Sequence, residues 1–127
     1  MKMEFLPDGS LDCPLIGLYD FDTKQACHLH SLILQLANGT VNEVSLHEAF
    51  WMEAIDGCSL ILLVADTDQG IIWVAESGNF FCNLRFCSWA SVAELVSNFC
   101  VSSVPGTFQW LDETSPISWL LSPSGFW

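Results

Sequence analysis

Positive charge is nearly absent from this chain. Lys2, Lys24 and Arg85 are its three basic residues and face fifteen carboxylates, for a formal net charge of −12. Phosphate backbones and anionic lipid are bound by clustered Lys and Arg, so the reading is no nucleic acid and no membrane as partner. Long apolar runs are missing too. No window approaches 18 uninterrupted apolar residues, and no segment is predicted to span a bilayer. The opening MKMEFLPDGSLDC shows no apolar stretch after its lysine of the kind a secretory signal carries. The expectation is therefore a cytoplasmic chain whose cysteines stay reduced. All six lie within apolar segments and are predicted to be buried free thiols, packed as small hydrophobes. Repeats, low-complexity tracts and linkers are absent, so residues 1–127 are predicted to form one domain.

What the chain does have is apolar mass: 51% hydrophobic residues, with nine Phe and six Trp. That is enough to offset the entropy of folding. Residues 14–21 read as a first strand behind a turn-rich loop. A helix follows, with Asp22 and Gln25 as a capping box, Leu29, Leu32, Ile33 and Leu36 as its stripe, and Asn38-Gly39 as its stop. Strands are expected over 41–48, 59–66, 71–76 and 79–86. A second helix over 88–100 carries Val92, Leu95, Val96 and Phe99, is capped by Ser88 or Ser91, and closes at SSVPG. Two short strands, TFQWLD and ISWLL, end the chain. The order β-α-β-β-β-β-α-β-β defines an α+β two-layer sandwich. Its sheet is expected to be mainly antiparallel, of five to seven strands, with both helices on one face.

Candidate chemistry is sparse. In DTDQG, counting from Asp66, Gly70 falls where a calcium loop needs a ligand and Ile71 where it needs glycine. A hairpin between the flanking strands is the reading, with Gly70 supplying positive φ. His28 and His30 of ACHLH diverge on a helix, and Cys82 and Cys87 of CNLRFC face opposite sides of a strand. No cofactor or metal is expected. NGT at 38–40 matches a glycosylation acceptor, which has no use without export. No nucleophile elbow, phosphate loop or dinucleotide fingerprint occurs. Glu43 and His47 would share one strand face, the nearest approach to an acid–base pair. No catalytic residue is assigned. A small enzyme or ligand-binding domain with a Cys/His pocket is the alternative reading.

One feature exceeds what a simple core requires. LILLVA and IIWVA are apolar on both parities, and strands of that kind expect cover on both faces. Two helices on one face leave Ile61, Leu63, Ile72 and Val74 to be covered by the Trp-rich C-terminal segment or by another chain. An apolar, Trp-bearing centre among carboxylates suits recognition of a basic protein, aromatic anchors giving affinity and charge speeding association. The partner-binding residues expected are Glu43, His47, Ile61, Leu63, Ile72, Val74, Trp110, Trp119 and Trp127. In size and composition the chain resembles bacterial immunity proteins, which neutralise basic toxins. The resemblance implies an inhibitor-like binding protein, and a homodimer closing on the same face is equally compatible.

Overall fold

The computed structural model describes residues 1–102 and 104–127. Its class is α+β, as expected, but the strands are divided between two mixed sheets. The first sheet contains β1 (Lys2–Leu6), β2 (Leu15–Tyr19), β4 (Glu53–Ala54), β8 (Gln109–Asp112) and β9 (Ser118–Ser122), in the order β4-β1-β2-β9-β8. The second contains β3 (Glu43–Ser45), β5 (Leu60–Val64), β6 (Gly70–Val74) and β7 (Asn79–Leu84), in the order β3-β5-β7-β6. Parallel pairs join β2 to β9 and β5 to β7. Helices α1 (Thr23–Ala37) and α2 (Phe86–Val101) run antiparallel against one another. Phe21, just before α1, meets Phe99 edge-on, while Gly39, just after it, lies against Phe86.

Local signals explain the first helix. Asp22 accepts from the Gln25 backbone at 2.8 Å, and the Gln25 side chain accepts from the Asp22 backbone at 3.4 Å. Gly39 takes the left-handed conformation just beyond the C-cap Asn38. Leu29, Ile33 and Leu36 of the predicted stripe are fully buried, as are Trp89 and Val96 of α2. They meet Met3, Ile16, Leu18 and Trp119 from one sheet and Leu60, Leu62, Phe80 and Cys82 from the other. A single core therefore lies among both sheets and the helix pair.

The second helix begins differently from its prediction. Its N-cap position is Arg85, whose side chain gives no cap, and Ser91 donates to the carbonyl of Cys87. The capping acceptor comes from the DTDQG segment. Asp68 accepts from the Arg85 backbone at 2.9 Å, the Arg85 guanidinium at 3.0 Å and the Ser88 hydroxyl at 2.8 Å. Of the stop segment SSVPG, Ser103 lies outside the described residues. The predicted hairpin at DTDQG is likewise corrected: β7 lies between β5 and β6, so residues 65–69 cross from one strand to a non-adjacent one. The crossover is held by the Ala65 and Gln69 amides, which donate to the carbonyls of Leu84 and Asn83. The actual hairpin joins β6 to β7 through residues 75–78.

Three hydrogen bonds, two of them from Arg85, hold the Asp68 carboxyl down at about 2. A depressed carboxyl contributes stability that is present above its unfolded value and lost as pH falls through about 2. The side chain is 25% exposed, so after solvent screening the contribution is about 1 kcal/mol. Asp68→Asn keeps an acceptor for the Arg85 amide but loses the charge. The unfolding free energy from denaturant titration should drop by this amount at pH 7 and converge with wild type toward pH 2. A constant difference across that range would refute the electrostatic share.

Candidate interaction surface

The two sheets treat their outer faces differently. In the five-stranded sheet, Leu15, Gly17, Leu120 and Ser122 are buried on the side away from the core, because the C-terminal residues fold back over it. The Ser122 hydroxyl donates to the Phe126 carbonyl at 2.7 Å, and the Trp127 indole donates to Asp12 at 3.1 Å. Under this flap a cavity of about 90 Å³ lies over Gly17 beside Tyr19 and Glu4. Tyr19 donates to Glu4 at 2.7 Å, and its phenol is pushed up to about 12 by burial and by that carboxylate.

Among the described residues, the four-stranded sheet has no such flap. Its inward residues, Leu60, Leu62, Ile71, Phe80, Cys82 and Leu84, are buried. Every second residue of β7 is buried and the alternate ones are half-buried, and β5 starts the same way although both of its parities are apolar. Register sets the outward residues in rows. Ser45, Ile61, Phe81 and Ile72 lie across all four strands, and Glu43, Leu63, Asn83 and Gly70 form the next row. Ile61, Leu63, Ile72, Val74 and Phe81 make an apolar patch that is half-buried and outside the core. Exposed Glu43, Asp66 and Glu76 stand at its margins.

Four of the nine predicted partner-binding residues, Ile61, Leu63, Ile72 and Val74, are therefore brought together, with Glu43 at their border. The other four do not join them. Strand β3 ends at Ser45, so His47 lies in a 3-10 turn and not on a strand face with Glu43. Its Nδ1 accepts from the Leu60 amide at 3.2 Å, which makes it a strut for β5. Trp110 and Trp119 belong to the other sheet. Trp119 is fully buried, edge-on to Trp89 with ring centroids 6.2 Å apart, and presents nothing to a partner. Trp127 closes the flap on the five-stranded sheet. Of the two covers considered for Ile61 and Leu63, the C-terminal segment is ruled out, since it covers the first sheet instead. Phe81, at the centre of the patch, was absent from the predicted set. Its parity with Asn83 and Arg85 was legible, but not the placement of β7 between β5 and β6.

An apolar groove of about 390 Å³ opens elsewhere, lined by Phe5, Trp73, Phe80 and Ile117. A second depression beside it reaches Cys58 and Asp56. Burial pushes the Cys58 thiol up to about 11, against a backbone hydrogen bond from Phe5, so it holds little thiolate at neutral pH. Among the described residues no group of three or more His, Cys, Asp or Glu is placed to hold a metal ion, and no helix is long and apolar enough to cross a membrane. Compared with family models, with curated proteins and with solved structures, the chain matches none.

Proposed function

We propose that this protein is a non-catalytic interaction domain that binds a basic protein through the outer face of its four-stranded sheet. One observation carries the reading: the Ile61, Phe81 and Ile72 row, with Leu63 and Val74 beside it, is apolar and, among the described residues, lacks the cover the same chain lays over its other sheet. Apolar strand faces of this kind are ordinarily buried against something. The charge selects the occupant. Fifteen carboxylates face three basic residues, two of which, Lys2 and Arg85, are already paired with Asp20 and Asp68. A basic partner gains Coulombic attraction and faster encounter from such a surface. An inhibitor of the immunity type is one form this function takes, and the reading assigns no catalytic residue.

The test compares three proteins as baits in lysate of the native host: wild type, Phe81→Ser and Glu43→Lys. A basic protein held stoichiometrically by wild type should bind roughly 10-fold or more weakly to Phe81→Ser. Glu43→Lys should weaken it less, and chiefly at low salt. Equal retention on all three baits would remove the patch from the interaction. A wild-type mass in solution twice that of the monomer, lost in Phe81→Ser, would make the occupant a second copy of this chain.

A further inference from the structure

The cysteines, predicted to be buried, are all free, but only Cys58 and Cys82 are buried. Two of the others meet. Cys27 is exposed in the second turn of α1, and Cys100 is part-exposed in the last turn of α2. Antiparallel packing brings these ends together, as the Phe21–Phe99 contact beside them shows. The Cys27 thiol points across the helix interface at the Cys100 carbonyl, 3.8 Å away. A thiol in contact with the partner cysteine's own backbone, on two packed helices, brings the pair within reach of a disulfide on rotation of the side chains.

We propose that Cys27 and Cys100 form an oxidation site at which a hydroperoxide converts the pair to a disulfide tying α1 to α2. Cys27 is the member solvent reaches, so it is the nucleophile. Its sulfur attacks the peroxide, the O–O bond breaks, and Cys27 becomes a sulfenic acid with release of one water. The Cys100 sulfur then attacks the Cys27 sulfur. An S–S bond forms, the S–O bond breaks, and the departing hydroxide takes the Cys100 proton as a second water. Two thiols lose two electrons and two protons in all, and one hydrogen peroxide is reduced to two waters. Cys100, the less exposed member beside Cys27, takes the resolving role by position. Its thiol is held up to about 12, by burial first and then by Cys27 beside it, so it reacts as the protonated thiol and this second step is the slower one. Cys87, exposed in the first turn of α2, is an internal control for plain solvent access.

The experiment treats the full chain with equimolar hydrogen peroxide, alkylates the remaining thiols and maps peptides without reduction. A Cys27–Cys100 cross-linked peptide should appear, two thiols should be lost, and dithiothreitol should restore both. The oxidised protein should melt higher by roughly 5 °C or more, since the bridge closes a long loop. In Cys100→Ser, dimedone should trap Cys27 as the sulfenic acid. Oxidation of Cys27 and Cys87 to equal extents without the cross-link would overturn the proposal, as would a cross-link found only between chains. The wild-type peptide map decides the matter even if Cys100→Ser folds poorly.

Discussion

Gly70→Ala should cost about 3 kcal/mol or more, whereas Gly78→Ala should cost about 1 kcal/mol. Both glycines have left-handed backbone, with φ of +71° and +70°, so the conformational penalty of a side chain is common to the two. They differ in space. A Cβ on Gly78 meets nothing within 4 Å, while one on Gly70 would lie 2.8 Å from the Ser115 backbone nitrogen and 2.8 Å from the Asp112 carboxylate. Backbone cannot swing aside as a side-chain tip can, so the β8–β9 turn must move or β6 must leave β7. Urea midpoints of the two variants measure the difference directly. Equal losses would mean that the turn yields freely, and that the close approach of the two sheets at Gly70 does not matter to stability.

That glycine also shows where local reading stops. Positive φ at Gly70 was legible, because a glycine after two aspartates between apolar runs needs no tertiary information. The partner of β6 was not. A short polar connection with glycine serves a hairpin and a crossover equally well. What selects the crossover is remote in sequence: Asp68 accepting from Arg85 and Ser88, and Gly70 fitting against Ser115. The β1 strand carried a signal in the alternation of Lys2, Met3, Glu4 and Phe5, since Met3 is buried and pairs with Leu18. Two-residue β4 carried none, being defined only by its parallel pairing with β1. Both helices were readable because each has a sustained apolar stripe, and α1 has its caps within its own sequence.

The candidate surface divides along the same line. Parity along one strand is a local property, so the apolar excess of β5 and β6 was visible before any fold was known. Which residues share a surface depends on strand order, and that is why Phe81 entered only with the structure. Tryptophan content misled in the opposite direction. An aromatic-rich C-terminal segment suits a binding site and a core equally, and only burial distinguishes them: Trp119 has no exposure, while Trp127 is 40% exposed yet tied to Asp12.

The Trp89–Trp119 pair yields the other large expected effect, and it is asymmetric. Both rings are fully buried and in edge contact, so truncating either to alanine should cost about 3–5 kcal/mol. Replacement by phenylalanine removes the same volume at both sites and separates them chemically. The Trp89 indole donates to the Leu63 carbonyl at 3.0 Å, anchoring α2 to the strand that carries the apolar patch. The Trp119 indole nitrogen is buried and has no hydrogen-bond partner among the described residues. Trp89→Phe therefore strands an acceptor on β5, whereas Trp119→Phe relieves a donor already stranded. The expected gap is about 1–2 kcal/mol, with Trp89→Phe the less stable, read from denaturant midpoints at neutral pH. Equal losses would show that volume alone governs the pair. A larger loss for Trp119→Phe would require an acceptor for its indole. With the predicted order, Leu63 would be held from behind by a helix while its half-buried side chain lies in the patch, and β5 would be a rigid floor for whatever binds there.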